Sequence, residues 1–80
     1  MKEQKPDERI VGVCNEIKAK VEAHLNSTYI VFEPVSFQTM IADGTYFLIK
    51  VKVGEEEQIT IKVHDNFSGE LILLEAGPTQ

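Results

Sequence analysis

A turn signal followed at once by a long run of alternating apolar residues constrains the fold more than any other feature. Asp43-Gly44 supplies the turn signal, and the strand after it places apolar side chains at every second position. These residues are Phe47, Ile49, Val51 and Val53. The segment before the turn carries apolar residues at the same spacing, so we predict an antiparallel hairpin with one buried face.

The apolar faces of the two strands determine the length of the turn. A two-residue turn would place Phe37 opposite Lys50 and so pair a core face with a solvent face. A three-residue loop, residues 42–44, places Phe37 opposite Ile49 instead. We therefore predict the three-residue loop, with Gly44 in the left-handed region.

An amphipathic helix is predicted before this hairpin. Asp7 is a residue type that caps helices, and apolar residues follow it at spacings of three and four. They are Ile10, Val13, Cys14, Ile17, Val21 and Leu25. The pattern ends at Asn26-Ser27. Cys14 is the only cysteine, so it can form no internal disulfide, and we predict that it packs in the core.

Residues 28–41 are predicted to form a strand in which the inward-facing positions change once, from even-numbered to odd-numbered residues. The apolar residues lie first at even and then at odd positions: Ile30, Phe32, Val35 and Phe37. A bulge or bend at Glu33-Pro34 would explain both the change of phase and the proline. In this register Val35 lies opposite Val51.

Two more strands follow the central one. Ile59, Ile61 and Val63 alternate with polar residues, and we predict that Val53 lies opposite Ile59. A second loop at residues 67–69 should lie at the same end of the sheet as residues 42–44. The last strand is predicted at residues 70–74. Residues 1–6 are expected to be flexible and residues 75–80 to form a frayed tail.

This order of elements predicts an α+β fold, in which a four-stranded antiparallel sheet wraps around one N-terminal helix. Eighty residues, 42% of them hydrophobic, suit a single domain at 1–80. A net charge of −5 without a basic cluster argues against nucleic acid or an anionic membrane as a partner. The polar N-terminus and the lack of a long apolar run predict a cytoplasmic protein.

Catalysis and metal binding are not predicted. No pair of titratable groups is expected to converge as an acid and base or as a nucleophile and base, so we predict that the protein is not an enzyme. Glu55, Glu56 and Glu57 lie on a predicted turn, where adjacent carboxylates are expected to be solvated rather than to share one ion. We predict neither a metal nor a cofactor.

The sequence resembles the stefins (type 1 cystatins), the intracellular single-domain branch of the cystatin superfamily. The resemblance extends from the helix to about Leu73. It is carried by Ile17-Lys18-Ala19-Lys20-Val21, Asn26-Ser27-Thr28-Tyr29, Val35-Ser36-Phe37, Gly44-Thr45 and residues 46–54. It implies a cystatin-like domain.

The resemblance also implies reversible, non-covalent inhibition of papain-like cysteine proteases of the cathepsin type. In this family the N-terminal segment and two hairpin loops form a wedge. The family's first-loop motif, Gln-Val-Val-Ala-Gly, aligns with residues 40–44, and its second-loop Leu-Pro pair aligns with Phe67-Ser68. The implied protease-binding residues are Met40, Ile41, Ala42, Asp43, Gly44, Phe67 and Ser68.

Two other interpretations stay open. Met, Ala and Asp replace three residues of the first-loop motif, Ser68 replaces the proline, and no glycine precedes Gly12. The alternative is therefore a cystatin-fold interaction or structural module that has lost inhibition. As a third possibility, the loop residues only finish a strand and pack on the end of the sheet. We expect a monomer, although opening of the first hairpin would allow a domain-swapped dimer.

Overall fold

The computed structural model describes residues 2–79. The elements are α1 (Glu8–Leu25), β1 (Glu33–Ile41), β2 (Thr45–Lys52), β3 (Gln58–Asp65) and β4 (Leu71–Pro78). The four strands form one antiparallel sheet in the order β1-β2-β3-β4. The predicted α+β, cystatin-like fold is confirmed. Met1 and Gln80, at the ends of the segments predicted to be flexible and frayed, lie outside the described residues.

The core lies between the apolar stripe of α1 and one face of the sheet. Its fourteen buried residues are all apolar: Ile10, Val13, Cys14, Ile17, Val21, Phe37, Phe47, Ile49, Val51, Val53, Ile59, Ile61, Val63 and Leu71. Leu25 packs against this cluster while partly exposed. Cys14 packs in the core as predicted, and burial raises the pKa of its thiol to about 11. It therefore stays protonated at neutral pH.

Side-chain and backbone caps fix both ends of α1. The Asp7 carboxylate accepts a hydrogen bond from the Ile10 N–H at 2.9 Å, as its position before the apolar pattern predicts. Asn26 ends the helix in the left-handed conformation, with φ 52°. Beyond it, the Glu22 carboxylate accepts a 2.8 Å hydrogen bond from the Tyr29 N–H and holds the chain that leaves the helix. In length and hydrophobicity α1 falls short of a bilayer-spanning helix.

The first hairpin has the predicted loop length, but its strand pairing near the bulge differs from the prediction. Phe37 lies opposite Ile49, and Ile41 pairs with Thr45, which leaves three loop residues. The bulge falls one residue later than predicted, so that Pro34, not Val35, lies opposite Val51. The pairing of Val35 with Val51 was therefore wrong, and the Val35 side chain is 42% exposed.

The segment before β1 also differs from the prediction. The strand begins at Glu33, and the preceding residues run as irregular chain. Ile30, predicted to face inward, is 97% exposed, while Phe32 packs against the core. The prediction that the even-numbered residues before the bulge face inward is therefore wrong for Ile30.

The register between β2 and β3 is shifted by two residues from the predicted one. Val51, not Val53, lies opposite Ile59. The Val53 N–H donates to the Glu57 carbonyl at 3.0 Å and closes the turn. A shift of two leaves every side chain on the same face, so the core is unaffected.

Strand β4 is longer than predicted. It continues to Pro78, which lies opposite Ile59, and a bulge interrupts the pairing near Lys62 and Val63. Residues 75–78, expected to belong to a frayed tail, are therefore strand. Their backbone is paired with β3 instead of with water.

The N-terminal segment lies along the outer edge of β1, where a flexible chain was expected. Gln4 and Phe37 exchange two backbone hydrogen bonds of 2.8 and 3.0 Å. The Glu3 carboxylate forms an ion pair of 2.7 Å with Lys50 and accepts a 2.9 Å hydrogen bond from the Ser36 hydroxyl. These contacts fasten the segment before the helix begins.

Candidate functional site

Both hairpin loops that the resemblance singles out lie at one end of the sheet. Thr45, which follows the first loop, pairs directly with Asp65, which precedes the second. This confirms that the two loops share a sheet end. We call this end, made of residues 40–44 and 66–70, the loop edge. All seven of the implied protease-binding residues belong to it.

The first loop turns on two consecutive residues with positive φ. Asp43 has φ 50° and Gly44 has φ 107°. The Ala42 N–H donates to the Gly44 carbonyl at 3.0 Å and closes the loop. The conformation of Gly44 agrees with the prediction, whereas that of Asp43 was not foreseen. Aspartate is among the few non-glycine residues that adopt the left-handed conformation at modest cost.

A histidine on β3 contacts the backbone of the first loop. His64 Nε2 lies 2.8 Å from the Asp43 carbonyl oxygen, and the imidazole stacks on the Tyr46 ring at 4.2 Å between centroids. His64 was not among the residues predicted to belong to the site. The signal that could have found it is register, because His64 lies directly opposite Tyr46, two residues after Gly44.

The second loop is held by the side chain of Asn66. Its Oδ1 accepts hydrogen bonds from the Ser68 N–H at 2.9 Å and the Glu70 N–H at 3.1 Å. The Gly69 N–H donates to the Asn66 carbonyl at 3.0 Å, and Gly69 has φ 82°. This Asx turn orders the loop without a proline. The sequence analysis missed Asn66, although an asparagine at the start of a Gly-containing loop is a known turn signal.

Apolar side chains project into solvent from the second loop and from the last residues of β1. Phe67 is 86% exposed and Ile41 is 85% exposed. Met40 is 46% exposed and lines a shallow cavity of about 260 Å³ on the outer face of the sheet, beside Tyr46 and Leu48. Met40 and Ile41 finish strand β1, as the third interpretation predicted. Phe67 does not pack down on the end of the sheet, so that part of the interpretation was wrong.

The remaining predicted site residues differ in exposure. Ala42, Asp43 and Ser68 are exposed, whereas Gly44 is buried. Gly44 therefore contributes through its backbone geometry and not through a contact surface. Asp43 places its carboxylate at the tip of the first loop, where the aligned family motif has alanine.

The N-terminal segment runs toward the loop edge. Gln4 pairs with Phe37 in an antiparallel bridge, so the chain before Gln4 runs in the direction of Ile41. Lys2 and Glu3 are both exposed. The third element of the implied wedge is therefore oriented toward the two loops, with Glu3 tied to Lys50.

Metal-ligating and thiol side chains were also considered as candidate functional groups. Within residues 2–79, no cluster of three or more His, Cys, Asp or Glu side chains is placed to hold a metal ion. The raised pKa of the buried Cys14 thiol removes it as a nucleophile. What the edge offers is apolar area on loops with defined hydrogen bonds.

Comparison with curated proteins finds cystatins A and B. Fifty-eight residues, 72% of this chain, are 34% identical to cystatin-B of Paralichthys olivaceus and cover 59% of that protein. Fifty-four residues, 68% of the chain, are 37% identical to cystatin-A of Felis catus and cover 55% of it. Sixty-one residues, 76% of the chain, are 30% identical to cystatin-A of Homo sapiens and cover 62% of it.

These matches span a little more than half the length of the relatives. No family model matches the chain. The similarity to several cystatins A and B confirms the resemblance to stefins that the hairpin sequence indicates.

Proposed function

We propose that this chain, a relative of the stefin-type cystatins, is a reversible, non-covalent inhibitor of papain-like cysteine proteases. The observation that supports the proposal is a pair of exposed apolar side chains at one end of the sheet: Ile41, the last residue of β1, and Phe67 in the second loop. A papain-like cysteine protease of the cathepsin type is the partner that the resemblance favours, and the cytoplasm is the location that we propose for this protein. In this proposal the protein itself catalyses nothing.

Inhibition would work by occlusion of the cleft. Most of the binding energy of a protein interface comes from a few large apolar side chains that enter a pocket and are desolvated there. Phe67, Ile41 and Met40 would be these anchors, since they expose apolar surface at or beside the loop tips. The apex of a hairpin cannot lie extended across catalytic groups as a substrate does, so the loops would block the cleft without being cut.

The smaller residues would allow close approach. Ala42 and Ser68 have short side chains beside the anchors, so the backbone of each loop could lie near the walls of the cleft. Gly44 would set the direction in which the first loop leaves the sheet, because its φ of 107° is disfavoured for other residues. Asp43 is charged, unlike the other six residues that the resemblance implies as protease-binding.

Order within the loops supports the same function. Asn66 fixes the second loop with two side-chain hydrogen bonds, and loops that are already ordered lose less conformational entropy when they bind. A wedge built in this way would need little rearrangement to enter a cleft.

The alternative is a cystatin-fold interaction or structural module that has lost inhibition. Two observations favour it. The exposed Asp43 would carry an unpaired carboxylate into a protease cleft, and the glycine-free N-terminal segment is tied to β2 through Glu3 and Lys50. A tied segment has less freedom to extend along a cleft wall.

Titration of papain with the purified protein distinguishes the two functions. We expect inhibition at nanomolar to micromolar concentrations, and full protease activity at roughly tens of micromolar protein would exclude an inhibitor of this class. Phe67→Ala should weaken inhibition about ten- to a hundredfold if Phe67 is an anchor.

Ile30→Ala is the matched control for Phe67→Ala. Ile30 is also highly exposed, at 97% compared with 86% for Phe67, but it lies beside Val53 and Gly54 at the opposite end of the sheet. Its replacement should leave inhibition unchanged. Equal losses in both variants would point to general destabilisation and against a Phe67 anchor.

A further inference from the structure

We propose that His64 is a positioning residue that holds the first loop in one conformation before any partner binds. The proposal concerns the conformation of residues 42–44, and its consequence for protease binding rests on the proposed function. It depends on three features of the structure: a hydrogen bond to the loop backbone, a loop with two consecutive positive φ angles, and an imidazole that is itself held by its neighbours.

The hydrogen bond joins the imidazole to the apex of the loop. His64 Nε2 lies 2.8 Å from the carbonyl oxygen of Asp43. A carbonyl oxygen can only accept, so the Nε2 atom must carry the hydrogen and donate it. The structure thus assigns the Nε2–H form to the imidazole. This contact crosses from β3 to the β1–β2 loop and joins parts of the chain that are not neighbours in sequence.

The loop conformation is only one of those open to a free chain. Asp43 and Gly44 both have positive φ, at 50° and 107°. This conformation carries a modest cost at Asp43 and almost none at the glycine, so the backbone alone favours it only weakly over the alternatives. A hydrogen bond that is available only in this conformation raises its population relative to the alternatives.

Close packing at the base of the loop adds to the effect. A Cβ atom on Gly44 would lie against the Asp65 carbonyl oxygen and 3.2 Å from His64 Nε2. The backbone of Gly44 therefore fills the space beside the imidazole. His64 thus donates a hydrogen bond to the Asp43 carbonyl and also limits the movement of the neighbouring Gly44 backbone.

The imidazole is fixed by its neighbours in the sheet. His64 lies between Tyr46 on β2 and Ile72 on β4 in register. Its ring is nearly parallel to that of Tyr46, with an angle of 12° between the planes and 4.2 Å between centroids. Lys62 lies on the same strand, with Nζ 6.0 Å from the centre of the Tyr46 ring. A side chain held in this way can restrain the loop it contacts.

Loss of the restraint should lower the fraction of molecules whose loop is ready to bind. The apparent affinity falls by that fraction, while the contacts in the complex stay the same. The loss should therefore appear mainly as slower association. A residue that touched the protease directly would instead change dissociation.

Two substitutions separate the hydrogen bond from the packing. His64→Phe keeps an aromatic ring to stack on Tyr46 and removes the donor, whereas His64→Gln keeps an amide donor. For His64→Phe we expect association with papain about three- to tenfold slower, at nearly constant dissociation and thermal midpoint. His64→Gln should recover part of the rate, and His24→Gln on α1 should have no effect.

Faster dissociation of His64→Phe with unchanged association would overturn the positioning role and make His64 a contact residue. Equal effects of the Phe and Gln variants would also overturn it, since the donor would then be irrelevant.

Nuclear magnetic resonance of the free protein tests the restraint without any protease. The ¹⁵N shifts of His64 should show the Nε2–H form, and the Cα and Cβ shifts of Asp43 should report its left-handed conformation. In His64→Phe we expect the resonances of residues 42–44 to move toward averaged values. An unchanged loop in that variant would refute the proposal, whatever papain shows. If wild type does not inhibit papain but its loop responds in this way, only the proposed function fails.

Discussion

A Cβ atom on Gly44 would collide with the carbonyl oxygen of Asp65. The contact is with backbone, so no side-chain rotation can relieve it. Gly44 also has φ 107°, which is unfavourable for any residue with a side chain. We expect Gly44→Ala to lower the free energy of unfolding by more than about 2 kcal/mol, since strain and collision add. Urea unfolding followed by circular dichroism measures this loss.

Gly69→Ala is the control that isolates strain from collision. Gly69 has φ 82°, but a Cβ atom there would have no atom within 4 Å. It should cost only about 1 kcal/mol, from the left-handed conformation alone. Equal losses for the two variants would mean that the first loop moves away from β3 at little cost.

The sequence predicted the parts of the fold that depend on alternation of apolar residues. Phe37 lies opposite Ile49, whereas a shift of one residue would have paired the core face with the solvent face, and the three-residue loop followed from this. Alternation cannot detect a shift of two, which preserves the buried face. The pairing of Val53 with Ile59 was wrong for this reason, because Val51 occupies that position.

Other errors came from backbone pairing that composition does not show. Gly77 and Pro78 are typical of a tail, yet they extend β4 because an edge strand can accommodate a proline and still pair with β3. Ile30 is apolar and near a strand, but it lies in irregular chain before Glu33 and faces solvent. Its apolar character alone was therefore not enough to predict whether its side chain is buried.

For the candidate site, turn signals and the stefin resemblance located both loops but not what orders them. His64 and Asn66 act through hydrogen bonds to backbone atoms of the loops, one from a neighbouring strand and one from the loop itself. No periodicity marks such residues. The role of His64 depends on the register between β2 and β3, whereas Asn66 carried a turn signal in the sequence that was not used.

The N-terminal cap of α1 gives a simple stability prediction. Asp7 accepts a hydrogen bond from the Ile10 N–H and places its carboxylate at the positive end of the helix. Asp7→Ala should reduce the free energy of unfolding by about 1 kcal/mol. Asp7→Ser, which can still accept the bond, should lose less. If alanine and serine unfold at the same denaturant concentration, the cap contributes nothing.

The ion pair between Glu3 and Lys50 predicts a dependence on pH. The hydrogen bond from Lys50, then the one from the Ser36 hydroxyl, lowers the pKa of the Glu3 carboxyl below its ordinary value of 4.5. Since the folded pKa is the lower one, the stabilisation is present at neutral pH and is lost as pH falls through that value. Low pH should therefore release the N-terminal segment.

A ¹³C titration of the Glu3 carboxyl checks this prediction. The midpoint should lie below 4.5 in wild type and move back toward 4.5 in Lys50→Met. The Phe37 amide, which donates to the Gln4 carbonyl, should change its chemical shift over the same pH range. Identical midpoints in the two proteins would show that the ion pair is absent in solution.

The last prediction concerns the charge of Asp43, which stands at the tip of the first loop in the proposed interface. Burial of a carboxylate without a partner would weaken a complex by roughly 1–3 kcal/mol, which is about five- to more than a hundredfold in affinity. Removal of the charge should therefore tighten binding to a papain-like enzyme. Asparagine is the better test, because it adopts the left-handed conformation nearly as readily as aspartate.

Asp43→Ala should also tighten binding, but by less than Asp43→Asn. Alanine at φ 50° adds strain of about 1 kcal/mol, which lowers the population of the loop conformation and offsets part of the gain. Inhibition constants for both variants at low and high salt decide the matter. Weaker binding by the asparagine variant, with a difference that fades as salt rises, would mean instead that Asp43 meets a cationic group on the protease. Unchanged constants would place the first loop outside the interface.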